Sequence, residues 1–87
     1  MLFELKSKGW SFELATLTQE KAEQFAEIVN LEHKSGLHRN SAVIRCALKA
    51  AWLMGDYDIP NLPPAQVTWM AQKLTDQYIE AITIPKE

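Results

Sequence analysis

The chain has 87 residues, 47% of them hydrophobic, and a formal net charge of −2. A chain of this length forms a single domain, and its hydrophobic content excludes a disordered tail. The single cysteine, Cys46, excludes an intramolecular disulfide. The sequence shows neither a signal peptide nor an apolar run of membrane length. We therefore expect a cytoplasmic protein without a membrane partner.

The charged residues are distributed unevenly along the chain. Residues 1–32 carry a net charge of −3, residues 33–55 carry +4 without any Asp or Glu, and residues 56–87 carry −3. Because the field near a surface depends on local charge, the middle segment is the part that would attract an anion.

Residues 2–15 alternate apolar and polar side chains on both sides of Lys8-Gly9, which predicts a β-hairpin. Gly9 supplies the positive φ that a tight turn requires. A two-residue loop would also place Glu4 opposite Glu13, an unfavourable pair. The predicted pairs are Ser7–Trp10, Leu5–Phe12 and Phe3–Leu14. The apolar face would consist of Phe3, Leu5, Trp10, Phe12 and Leu14.

A first helix is predicted from roughly Gln19 to Lys34, with Thr18 as its N-cap. Gly36 is a suitable C′ residue behind this helix, and Leu37 is its hydrophobic partner.

The most apolar helical stretch comes next, and we predict that it is the central helix of the domain. Asn40 or Ser41 is its predicted N-cap, and it ends near Met54 ahead of Gly55.

A proline-rich connector, residues 56–64, leads to a third helix with Asn61 as its predicted cap and Thr83–Pro85 as its stop. Its apolar stripe comprises Val67, Met70, Ala71, Leu74, Tyr78, Ala81 and Ile82. The predicted fold class is α+β, mainly α: an N-terminal hairpin or ribbon strand followed by three helices. The single domain divides into residues 1–15, the two-helix core 16–55, and residues 56–87.

Catalysis and metal binding are disfavoured by the sequence. Cys46 could act as a nucleophile with His33 or His38 as its base, or all three could bind zinc. However, Cys46 lies between Ile44 and Leu48 in the most apolar helix, so we favour a buried thiol. The zinc interpretation lacks a fourth ligand. We predict a non-enzymatic protein without cofactor or metal.

The basic segment contains a candidate phosphate site. Arg39, Asn40 and Ser41 combine a guanidinium, an amide and a hydroxyl at the predicted start of a helix. Backbone N–H groups at such a start bind phosphate well. Ordinary helix capping with a solubilising charge explains the same residues equally well, so both interpretations stay open.

The segment Asn40-Ser-Ala-Val-Ile-Arg-Cys-Ala-Leu-Lys-Ala-Ala resembles the second helix of ribbon-helix-helix transcriptional regulators. Ser11-Phe-Glu-Leu and Glu20-Lys-Ala-Glu-Gln-Phe-Ala-Glu-Ile-Val are similar to the strand and first helix of that family. The likeness covers about Ser11 to Trp52.

This resemblance implies a homodimer whose paired strands enter the major groove of double-stranded DNA. By position, Ser11 and Glu13 would face the bases. The residues that hold phosphate would be Arg39, Asn40 and Ser41, and those in the dimer core Phe12 and Leu14. Whether residues 2–15 form a hairpin within one chain or a ribbon between two stays open.

The alternative function is binding to another protein, as an inhibitor, antitoxin or phage-type assembly chaperone or adaptor. Trp69 lies on a face of the third helix away from the apolar stripe, together with polar residues. An exposed Trp is a typical interface anchor, so Trp69 is the predicted partner-binding residue. Packing of Trp69 under the apolar face of the hairpin is the other interpretation.

Overall fold

The computed structural model describes residues 1–31 and 36–86, and for residues 28–31 it describes the backbone only. It confirms the predicted α+β, mainly α fold, with N-terminal strands and three helices. The strands are β1 (Leu2–Leu5), β2 (Trp10–Leu14) and β3 (Leu53–Met54), and the helices are α1 (Gln19–Leu31), α2 (Gly36–Lys49) and α3 (Pro64–Ile82). Short 3-10 turns occur at Lys6–Lys8 and Ile59–Asn61.

The hairpin forms within one chain, but its predicted register is wrong by two residues. Phe3 pairs with Phe12 and Leu5 with Trp10. The loop spans residues 6–9, because Lys6–Lys8 form a 3-10 turn that ends at Gly9, whose φ is +70°. A shift of two keeps each side chain on its face, so the predicted apolar face is retained. Glu4 lies opposite Ser11, and the expected repulsion with Glu13 does not arise.

The second helix of the core ends at Lys49, not near Met54 as predicted. Ala51 adopts φ +59°, and its N–H donates to the Leu48 carbonyl while the Trp52 N–H donates to the Ala47 carbonyl. These two bonds form a Schellman motif with alanine in the position that usually holds glycine. The chain then reverses, and β3 pairs with β2 in a sheet of order β1-β2-β3.

The starts of α1 and α2 differ in how well the sequence predicted them. Thr18 caps α1 as predicted, since its Oγ1 accepts the Lys21 N–H at 3.3 Å. The predicted end of this helix at Lys34 lies outside the described residues.

Asn40 and Ser41 do not cap α2, which begins at Gly36 with φ +59°. The Asn40 amide instead donates to Thr68 Oγ1 of α3 at 3.3 Å.

The third helix begins at Pro64 with Pro63 as its N-cap, so the predicted cap at Asn61 is wrong. Asn61 lies in the preceding 3-10 turn, where its side-chain amide donates to the Asp58 carboxylate at 2.6 Å. The helix ends at Ile82 and Thr83 is extended, which confirms the predicted stop.

The core lies between the inner face of the sheet and the three helices, with α2 contacting both α1 and α3. The inner side of α2 is buried at the centre of the domain, as predicted. Its outer side, with Arg39, Arg45 and Lys49, is exposed. The largest fully buried side chains are Trp52, Ile44, Met70, Leu74, Val43 and Cys46. No helix among the described residues is long and apolar enough to cross a membrane.

Candidate binding surfaces

The three residues of the predicted phosphate site lie together on α2, with Arg39 in its first turn and Asn40 and Ser41 past it. Only the N–H groups at the very start of a helix lack an intrahelical acceptor, and Asn40 and Ser41 lie beyond the first turn of α2 (Gly36–Lys49). The backbone of Asn40 and Ser41 therefore offers no free donor of that kind. Arg39 is exposed beside a hollow of about 260 Å³ between α2 and α3, which Gln72 and Asp76 also line.

The other basic side chains of α2 lie on a different side of the helix. Arg45 and Lys49 are exposed and four residues apart, so they are neighbours on the helix surface. At 100° per residue, Arg39 lies about 120° around the helix from Arg45, whereas His38 lies within about 20° of it. His38, Arg45 and Lys49 thus form one basic stripe, and Arg39 lies apart from it.

Ser11 and Glu13 are exposed on the outer face of the sheet, on the side opposite the core. Their strand, β2, pairs with β1 along one edge and with β3 at Glu13 and Leu14 along the other. Leu2 and Met54 are the neighbours of Glu13 on the two adjacent strands, and both are exposed.

Trp69 is half-buried beneath the hairpin, which confirms the packing interpretation and not that of an exposed anchor. Its ring lies 5.2 Å from the Phe12 ring in an edge-to-face arrangement with an interplanar angle of 72°. Trp10 lies 6.1 Å away on the same side. Such geometries are favourable for aromatic pairs, and they account for Trp69 as a packing residue.

The exposed apolar residues at the end of α3 were not identified from the sequence. Ile79, Ile82 and Ile84 are 54%, 55% and 87% exposed. Sequence periodicity assigned Ile82 to the core, but the buried residues of this helix end at Leu74. Two positions in the sequence could have indicated this exposed apolar surface. Ile79 lies outside the apolar stripe of the helix, and Ile84 lies beyond the end of the helix.

An apolar cleft adjoins this end of the helix. It has a volume of about 330 Å³ and lies between α3 and the segment that joins β2 to α1. Its walls include Leu14, Leu17, Trp52, Gln77 and Ala81. Because the lining is mainly apolar, the cleft is suited to an apolar side chain more than to a charged ligand.

The groups considered for chemistry are not assembled into a reactive site among the described residues. Cys46 is 2% exposed and the described His38 is exposed, whereas His33 lies outside the described residues. Residues 1–31 and 36–86 contain no group of three His, Cys, Asp or Glu side chains that could hold a metal ion. Burial raises the pKa of the Tyr57 hydroxyl above its usual 10.0, which keeps that side chain neutral.

Comparison of the chain with protein-family models, curated proteins and solved structures found no match.

Proposed function

We propose that this is a small non-enzymatic binding protein whose α3 end binds another protein, as an inhibitor, antitoxin or assembly adaptor does. The observation that supports it is the exposure of Ile79, Ile82 and Ile84 within six residues of chain, beyond the end of the core. Large apolar side chains clustered on a surface mark interaction sites, whereas scattered ones do not. Ile79 also lines a hollow of about 200 Å³ together with Phe25, Val43 and Tyr78, and this hollow can accept a side chain of the partner.

The charges around these isoleucines define the chemistry of the partner. Asp76 and Glu80 are exposed on the same end of α3, whereas Arg39 lines the same hollow as Ile79 and Lys86 follows Ile84. The part of the partner surface that faces Asp76 and Glu80 therefore carries Lys or Arg, because complementary charge speeds association and excludes wrong partners.

The test is capture from a cell extract by the immobilised protein, followed by affinity measurement with the purified captured protein. Ile84→Asp should weaken binding at least tenfold, since a charge replaces an exposed apolar contact. Leu37→Asp is the matched control, because Leu37 is 63% exposed on α2. Glu80→Lys should weaken binding further through like charge, and added salt should weaken the wild type.

Equal affinity of the wild type and Ile84→Asp for every captured protein would overturn the proposal. Loss of binding in Leu37→Asp alone would do the same, because it would assign the interface to α2.

DNA binding is a second candidate, and the basic surface of α2 favours it. The helix has four exposed basic residues, His38, Arg39, Arg45 and Lys49, and the sequence from Gly36 to Lys49 contains no acid. Clustered positive charge of this kind provides sequence-independent affinity for phosphate. A ribbon-helix-helix mode would further require the β2 strands of two copies to pair. Because β2 already pairs with β1 and β3, that mode requires one of them to leave.

A further inference from the structure

The outer edge of β1 is a row of backbone groups that no described strand pairs with, since the sheet order is β1-β2-β3. The hydrogen bonds at the start of the strand show which residues these groups belong to. Leu14 N–H donates to the Met1 carbonyl at 2.8 Å, and Met1 N donates to the Leu14 carbonyl at 2.9 Å. Met1 and Leu14 are therefore a hydrogen-bonded pair.

Hydrogen-bonded and non-hydrogen-bonded pairs alternate along an antiparallel ladder. Counting from Met1, Phe3 and Leu5 direct their backbone groups toward β2. Leu2 and Glu4 consequently direct their N–H and C=O groups toward the free edge. The edge thus offers two donors and two acceptors in a regular array.

This edge is only partly protected. Proteins protect edges with proline, lysine, other charges, bulges or short strands; β1 is four residues long and carries Glu4, but it contains no proline, lysine or bulge. Leu2 is 58% exposed, and Phe3 and Leu5 are only half-buried although they lie on the core side. Apolar area and backbone groups are therefore available at the same place.

We propose that this edge pairs with the β1 edge of a second copy, so that two sheets join across a two-fold axis at Phe3. In this antiparallel register Leu2 of each copy lies opposite Glu4 of the other, and each of these two pairs exchanges two hydrogen bonds. The two Phe3 side chains face each other at a non-hydrogen-bonded position, where side chains are closest. Each Phe3 ring already stacks on Phe12 at 5.0 Å, so four rings form a row.

Charge and hydrogen bonding select this register over its neighbours. A shift that centres the axis on Glu4 places two carboxylates opposite each other, which is destabilising. A shift that centres it on Leu2 leaves the groups of Glu4 without partners, because the opposing strand ends there. The interface uses β1 and none of Ile79, Ile82 and Ile84, so the Ile84→Asp test of partner binding leaves the β1 edge unchanged.

The test is sedimentation equilibrium on charge variants at position 2. Leu2→Glu should weaken the dimer by roughly tenfold, since it sets two Glu–Glu pairs across the axis, whereas Leu2→Lys should tighten it several-fold through two Lys–Glu pairs. Met54→Glu and Met54→Lys are matched controls. They make the same changes in net charge on the outer face of the opposite edge, where Met54 is 49% exposed, and should leave the dimer unchanged.

A second variant tests the hydrogen bonds directly. Glu4→Pro removes an N–H that points away from β2, so the monomer should keep its circular dichroism spectrum while the dimer is lost; Glu4→Ala should still dimerise. In the wild type, the Leu2 and Glu4 amides should exchange more slowly as concentration rises. A single-chain mass at every concentration up to the millimolar range would overturn the proposal, as would equal weakening by Leu2→Glu and Leu2→Lys.

Discussion

Cys46 shows how a reactive group becomes a packing group through its surroundings. The thiol is 2% exposed on the inner side of α2, which confirms the burial predicted from its neighbours Ile44 and Leu48. Reactive cysteines are at least partly exposed, whereas this thiol is out of contact with reagents in solution. Its contribution is therefore to the density of the core.

Replacement of Cys46 by alanine should lower the free energy of unfolding by roughly 1 kcal/mol, because only one buried atom of the side chain is lost. Chemical denaturation monitored by tryptophan fluorescence would measure this. The wild-type thiol should react with a labelling reagent only as fast as the protein unfolds. Rapid labelling of the native protein would contradict the assignment.

Ala51 carries backbone strain that glycine would relieve. Its φ of +59° lies in the left-handed region, which costs an L-residue about 1–2 kcal/mol. The side chain is exposed, so its removal loses no buried contact. Ala51→Gly should raise the free energy of unfolding by about 1 kcal/mol, since the greater entropy of glycine in the unfolded chain offsets part of the relief.

The matched control for Ala51 is its neighbour. Ala50 is buried and its N–H still makes the helical bond to the Cys46 carbonyl. Ala50→Gly should therefore destabilise by about 1 kcal/mol, and thermal unfolding of both variants measures the difference. Equal effects of the two substitutions would show that Ala51 is not strained.

At the scale of elements, the sequence predicts which face of each element is apolar better than where the element ends. The hairpin face was correct because the period of a strand is two, and a shift of two residues leaves faces unchanged. The register was not correct because the 3-10 turn at Lys6–Lys8 lengthens the loop. Likewise, no glycine marks the end of α2, and only tertiary structure places Ala51 in a glycine conformation and Leu53 in a third strand.

The contact between α3 and the hairpin depends on Trp69. Trp69→Ala removes the ring that packs against Phe12 and Trp10, and it should lower the free energy of unfolding by about 3 kcal/mol. Trp69→Phe should cost less than half of that, because it keeps an edge-to-face ring. Urea unfolding measures both, and Ile84→Ala, which truncates an 87% exposed side chain, is the control expected near zero. A negligible effect of Trp69→Ala would contradict the packing role.

At the scale of the whole molecule, the candidate surfaces were only partly accessible to sequence reasoning. The excess of basic residues in the middle segment could be read from the composition. That Arg39 lies on one side of α2 and Arg45 and Lys49 on another could be established only from the observed start and packing of the helix. The α3 end was not visible, because periodicity continues to Ile82 although the core ends earlier. A core boundary is set by how many elements surround a helix, and a one-dimensional pattern does not contain that information.

The charge on α2 yields the prediction that separates the two candidate functions. If DNA phosphate lies along the outer stripe, Arg45→Ala should weaken binding to all sequences alike and reduce the slope of log affinity against log salt by roughly one. Arg39→Ala should have the same effect if Arg39 also contacts phosphate, as the ribbon-helix-helix likeness implies. Ser11→Ala should change the preferred DNA sequence only in the ribbon-helix-helix mode, in which the outer face of the sheet contacts the bases.

Fluorescence anisotropy with labelled duplexes at several salt concentrations measures the effect of all three substitutions. Absence of binding, or unchanged slopes in both arginine variants, would exclude DNA and leave the α3 end as the functional surface.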